Sequence, residues 1–155
     1  MSNPGNSFKE AIINEILNWN LPELRVYSEV FVGSRFVGKK RKLDIVVAHK
    51  NKVLGIEAKT QQSGGTAYQK LGYTLEDAKR APIPVIIVFS GEFIEADVKA
   101  QLVSSGIGFE LVWTPENGFS YGLDVLKQHI MIALEMDWLA DQENRRVYKQ
   151  NKLNM

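Results

Sequence analysis

The stretch that decides the fold runs Leu43-Asp44-Ile45-Val46-Val47-Ala48-His49-Lys50-Asn51-Lys52-Val53-Leu54-Gly55-Ile56-Glu57-Ala58-Lys59. Two apolar, β-branched runs flank the polar turn at His49-Lys50-Asn51-Lys52, a pattern that predicts strands over 43–48 and 53–59 joined as a hairpin. Asp44 interrupts the first run. Glu57 and Lys59 share one face of the second strand, because residues two apart point the same way, and Ala58 faces the other side. Such a hairpin brings two carboxylates and an amine to one end of a sheet. On residue type alone, Asp44, Glu57 and Lys59 read either as an ordinary strand-end ion pair or as a site where two carboxylates hold one divalent cation. Hard carboxylate oxygens select magnesium or manganese for the second reading.

Upstream of the hairpin, Ser7 and Glu10 have the spacing of a capping box. Ile12, Ile13, Ile16, Leu17 and Trp19 then recur at helical spacing until Asn20-Leu21-Pro22 stops the run. Residues 24–32 are rich in β-branched and aromatic types and predict a strand, followed by a basic, glycine-punctuated connection over 33–42. Downstream, a loop at Gln61–Gly65 leads into a helix from Thr66 to about Arg80, then a buried strand at Val85–Phe89. A helix over Phe93–Ser105 ends at Gly106, and Phe109–Trp113 reads as a further strand. After the turn Pro115-Glu116-Asn117-Gly118, a long amphipathic helix runs from about Gly122 to beyond Leu139. The order α-β-β-β-α-β-α-β-α describes an α/β chain whose mixed β-sheet is flanked by helices.

The 155 residues suit one domain, 45% hydrophobic and long enough to bury a sizeable core. Absence of cysteine excludes disulfides, thiolate zinc sites, iron–sulfur clusters and thiol catalysis. Nineteen Lys and Arg against eighteen Asp and Glu give a net charge of +1, which excludes a protein that coats nucleic acid through bulk charge. A polyanion must instead meet locally concentrated charge. Arg35, Lys39, Lys40, Arg41 and Lys42 supply it, in a segment that contains no acid and leads directly into Asp44. These five read as phosphate contacts at the mouth of the site or as a solvated hairpin tip. Gln61 and Gln62 follow the Glu57–Lys59 strand and are placed to meet base edges or phosphate. The run Arg145, Arg146, Lys149 and Lys152 reads as a frayed basic tail. His49 and His129 have no partner at metal-ligand spacing and read as structural. The polar N-terminus lacks a signal-peptide layout, and the longest apolar run is far short of the roughly 20 residues of a membrane helix. A soluble, intracellular protein is expected.

Two further features stand in order around the hairpin. Gln69 and Tyr73 lie four apart on one helical face, and Glu10 supplies a third carboxylate near the start of the first helix, with Glu15 as the alternative. With Asp44, Glu57 and Lys59, this arrangement resembles the PD-(D/E)XK nuclease superfamily over roughly residues 7–89, whose core is αβββαβ. Residues 90–155 would be an αβα extension within the same nuclease domain. Asp44 is similar to the family's first acid, with Leu43 where the motif has proline, and Glu57-Ala58-Lys59 matches the second half. Gln69 and Tyr73 resemble the Gln-x-x-x-Tyr motif of one branch, and Glu10 resembles the first-helix glutamate of archaeal Holliday junction resolvases.

The resemblance implies that Asp44, Glu57 and the Ala58 carbonyl hold one or two Mg2+ ions, with Mn2+ as a substitute. It implies that Lys59 orients the attacking water and that Gln69 holds water or phosphate. The expected activity is a metal-dependent endonuclease on double-stranded or branched DNA, either site-specific (homing or restriction type) or junction-resolving. An inert nucleic-acid-binding protein on the same fold and an exonuclease are the alternatives. Cutting both strands at once calls for at least a homodimer, with the Gly122–Leu139 helix as a candidate contact.

Overall fold

The computed structural model describes residues 4–35, 38–60, 67–92 and 94–140. In chain order the elements are α1 (Pro4–Asn18), β1 (Leu24–Ser34), β2 (Lys40–His49), β3 (Lys52–Thr60), α2 (Ala67–Arg80), β4 (Val85–Ser90), α3 (Ala96–Ser104), β5 (Gly108–Glu110), β6 (Val112–Thr114), β7 (Gly118–Tyr121) and α4 (Leu123–Ala133). Five strands form one mixed sheet in the order β1-β2-β3-β4-β5. The first three are antiparallel neighbours, whereas β4 and β5 run parallel to β3 through the crossovers that α2 and α3 provide. The hairpin read from the sequence is present, closing at His49↔Lys52. All six residues of β4 are buried, as an unbroken apolar run between two helical layers requires.

Helices cover both faces. Phe8, Ile12 and Ile16 of α1 and Leu126 and Ile130 of α4 pack on Ile45, Val47, Leu54, Ile56 and Val88. Leu71, Leu75 and Ala78 of α2 and Val98 and Leu102 of α3 pack on Leu43, Val46, Val85, Ile87 and Phe89 of the opposite face. The apolar stripe of α4 is thus spent inside the chain, and Val125 and Ile132 remain exposed on its outer side.

Several elements differ from the sequence reading: β7 forms where no strand was predicted, and α3 begins at Ala96, three residues after Phe93. Helix α1 begins at Pro4, so Ser7 lies inside the helix instead of capping it; proline suits the first turn because its missing N–H would be unpaired there. Strand β2 begins at Lys40, three residues before Leu43, and so takes in Arg41. The expected strand over 109–113 is divided at Leu111. The chain leaves the main sheet there because the Trp113 amide donates to the Ser90 hydroxyl at 3.1 Å. The Trp113 ring then stacks 5.3 Å from Phe8 and 6.4 Å from Phe119, within the β6–β7 hairpin. Helix α4 stops at Ala133 instead of passing Leu139. Glu135 turns left-handed (φ +55°), and the amides of Glu135 and Met136 reach back to the carbonyls of Ile132 and Met131 at 3.1 and 2.8 Å. That pair of bonds is a Schellman stop made without glycine. His49 adds a structural tie, its Nδ1 donating to the Leu134 carbonyl at 3.2 Å.

Candidate active site

The β1–β2 pair twists abruptly at one level. Ser28↔Ile45 and Val30↔Leu43 keep the same register, yet Glu29 between them is left-handed (φ +55°). Leu43 packs on the α2 side of the sheet, and Ile45, two residues on, packs on the α1 side. Strict alternation would put both on one face, so the strand rotates through Asp44. The polar residue that breaks the apolar run is thus the residue at the kink.

Beside it, β2 and β3 part. Their pairing ends at Ile45↔Ile56, one position short of Asp44 and Glu57. Asp44 fills the gap: its Oδ2 accepts the Ala58 amide at 2.9 Å. A strand residue sends its N–H and C=O to the same edge, which leaves the Ala58 carbonyl facing that opening. Glu57 is 6% exposed and its carboxyl lies within hydrogen-bonding reach of Asp44. Lys59 Nζ stands 3.6 Å from Glu57 Oε2, with 39% of its side chain exposed. Burial and then the negative charge of Asp44 push the Glu57 carboxyl up to about 7, and the cations of Lys59 and Arg35 offset this only in part.

Two neighbouring carboxylates, one of them buried, with a backbone carbonyl on the same opening, form an oxygen donor set that fits a hard divalent cation. Among the described residues no group of three His, Cys, Asp or Glu side chains converges. A hard divalent cation bound there could take oxygens from Asp44, Glu57 and the Ala58 carbonyl, and would need water or substrate oxygens for its remaining positions.

The other expected residues distribute unevenly. Glu10 is exposed on α1, a helix packed on the face opposite to Glu57 and Lys59, and among the described residues no hydrogen bond or ion pair joins it to them. The structure does not bring it into this cluster, and Glu15, half-buried on the same helix, is not joined to it either. Lys39, Lys40 and Lys42 are exposed, Lys42 pairing with Glu29 at 3.7 Å. Arg41 differs. It is 1% exposed, and its guanidinium donates to both carboxylate oxygens of Asp77 at 2.8 Å and to the carbonyls of Val32 and Ser34 at 3.0 and 3.2 Å. The expectation that Arg41 contacts phosphate is therefore corrected, since its donors face the interior. Gln61 and Gln62 lie outside the described residues, as do the side chain of Gln69 and the Arg145–Lys152 run.

Sequence reasoning missed Asp77, which is 6% exposed on α2. It flanks the buried Leu71–Leu75–Ala78 stripe, where an unpaired carboxylate would be costly. That position marks it as paired, but its partner lies 36 residues away and only folding identifies it.

No helix among the described residues is long and apolar enough to cross a membrane. No curated protein matches the chain. Among solved structures, an XisH family protein from Nostoc punctiforme is similar at 12% identity and a TM-score of 0.48, over 75% of this chain and 98% of its own. A protein of unknown function, AF1548, shows 13% identity and a TM-score of 0.46, over 83% and 78% of the two chains. SfsA from Pyrococcus furiosus, in complex with Ca2+, shows 16% identity and a TM-score of 0.39, over 76% and 61%. A model of the PD-(D/E)XK nuclease superfamily domain matches residues 6–107, which span the Asp44–Lys59 cluster and the elements from α1 to α3. This chain belongs to the PD-(D/E)XK nuclease superfamily.

Proposed function

We propose that the chain is a metal-dependent DNA endonuclease that hydrolyses phosphodiester bonds with Mg2+, for which Mn2+ can substitute. The observation that carries the reading is the meeting of Asp44, Glu57, Ala58 and Lys59 where β2 and β3 part. A bound divalent cation would polarise the scissile phosphate and favour deprotonation of water. Asp44 and Glu57 hold their charges toward that position, and the Ala58 amide orients Asp44. Lys59 is half-exposed beside Glu57, where its ammonium can orient the attacking water and offset negative charge developing on the phosphate. Exposed Lys39, Lys40 and Lys42 supply phosphate contacts next to the site, so binding should weaken with salt. Glu10 and Arg41 take no part in this reading.

Double-strand cutting would use two copies of the chain. Because the apolar stripe of α4 is buried internally, the two copies would meet elsewhere.

The test is cleavage of supercoiled, linear, single-stranded and four-way-junction DNA with Mg2+ and with a chelator. Metal-dependent nicking or linearisation of circular DNA is expected, and preference for the junction would select a resolvase over a site-specific enzyme. Digestion of linear ends alone would select an exonuclease. No cleavage with any divalent metal, or undiminished cleavage by Asp44→Ala or Lys59→Met, would overturn the reading.

A further inference from the structure

Asp77 has two carboxylate oxygens, and Arg41 occupies both at 2.8 Å. Arg35 is drawn to the same carboxylate, its Nε standing 3.6 Å from Oδ2, too far for a hydrogen bond. That Nε is sealed from solvent and has no hydrogen-bond partner, while 38% of the Arg35 side chain is exposed. Arg35 is thus a second cation beside an anion already neutralised.

Its position is built with care. Arg41 bonds the carbonyls of Val32 and Ser34, the backbone leading into Arg35. The Arg35 amide donates to the Lys39 carbonyl at 2.7 Å, and the Gly38 amide donates back to the Arg35 carbonyl at 2.9 Å. Gly33 is left-handed (φ +64°), and a Cβ there would lie 3.2 Å from Arg41 Nη1, so the backbone closes on the buried guanidinium. Asp77 lies on α2, which packs on the sheet face that carries Gly55, Glu57 and Lys59, so the Arg35 guanidinium beside Asp77 stands on the same side of the sheet as the site.

With Arg41 and Asp77 cancelling, the charges left are Arg35 and Lys59 against Asp44 and Glu57. A divalent cation on the two carboxylates would leave both cations surplus. A planar guanidinium that is partly exposed, and whose Nε has no hydrogen-bond partner, favours the paired oxygens of a phosphate.

We propose that Arg35 grips a non-bridging oxygen of the substrate phosphate beside the metal position, and that Asp77, acting through Arg41, is the positioning residue that aims it. The assignment rests on the nuclease reading for its reaction, but its anion site can be tested separately.

Arg35→Ala, Arg35→Lys and the double variant Arg41→Met with Asp77→Leu are compared with the parent protein. The double variant removes both charges, leaves neither buried alone, and is checked for native thermal unfolding. In duplex cleavage, Arg35→Ala should lower kcat about 100-fold with KM and Mn2+ affinity nearly unchanged, Arg35→Lys should recover only part, and the folded double variant should resemble Arg35→Ala. Independently, inorganic phosphate with Mg2+ should move the Arg35 Nε–H resonance of the parent, and Arg35→Ala should bind phosphate at least about tenfold more weakly. A parent protein that cuts no DNA yet shows this phosphate response would end the nuclease reading and keep the anion site. Equal phosphate affinity in the parent and Arg35→Ala, or full kcat in the double variant, would overturn the assignment.

Discussion

Asp44 and Ala58 are joined side chain to backbone, 2.9 Å apart, at the position where their two strands cease to pair. One hydrogen bond thereby does two things: it satisfies an amide that the parting strands would leave unpaired, and it turns the Asp44 carboxylate toward Glu57.

Asp44→Asn keeps an acceptor for that amide but removes the charge. The Glu57 carboxyl should then titrate below its present value of about 7, because its nearest like charge is gone. Mn2+ affinity should fall by more than the ~10–100-fold typical of losing an outer-shell partner alone. Carboxyl-resolved NMR and calorimetry check both, and an unchanged Glu57 titration would refute the contact.

Stability of the metal-free protein should depend on pH through Glu57. Its folded pKa of about 7 exceeds the ordinary 4.5, so its contribution is complete below pH 4.5 and is lost as pH rises through about 7. At ~1.4 kcal/mol per pH unit, the loss reaches about 3 kcal/mol. Thermal unfolding with chelator should occur at lower temperature at pH 8 than at pH 5.5, with a much smaller difference in Glu57→Gln. Excess Mn2+ at pH 8 should restore stability, since it binds the deprotonated group. His129 has the opposite sign: burial lowers its pKa below 6.5, so its contribution is lost as pH falls through that range.

The Arg41–Asp77 pair should show strong non-additivity. Asp77→Ala leaves a buried guanidinium uncompensated and should cost about 3–5 kcal/mol in urea unfolding. Arg41→Met combined with Asp77→Leu should cost much less than the sum of the single changes. Simple additivity would show that the pair is not coupled.

Gly55→Ala tests packing under the site. The new methyl would meet Leu43 Cδ1 at 2.6 Å and Val85 Cγ2 at 3.1 Å, both buried. The repacking should cost about 1–3 kcal/mol. Cleavage should fall as well, because Leu43 adjoins Asp44 and Gly55 lies two residues before Glu57. A variant as stable as the parent would show that Leu43 has room to move.

Much of this was legible in residue order. Strict alternation placed Glu57 and Lys59 on one side of β3, and the tight turn at 49–52 set their distance from Asp44. The buried β4 declared itself by an apolar run with no polar face. Local signals failed where the deciding partner is remote in sequence. Nothing near Leu111 predicts that the strand divides there, since the Ser90 hydroxyl that draws Trp113 away lies 23 residues upstream. The helical stripe through Trp138 predicts a longer α4, but the left-handed Glu135 and its backbone bonds end it.

The basic segment before Asp44 shows the division most plainly. Residue order carries the alternation, the hairpin and the presence of five cations ahead of an acid. It could not say which of those cations face water, because Arg41 and Lys42 are adjacent cations and nothing near them in sequence names a buried counter-charge. Tertiary structure alone decided that. The strand begins early enough to turn Arg41 inward, and a carboxylate on α2 makes its burial affordable by matching both ends of the guanidinium. A buried charge is tolerable only beside its counter-charge, and that counter-charge comes from another element of the fold.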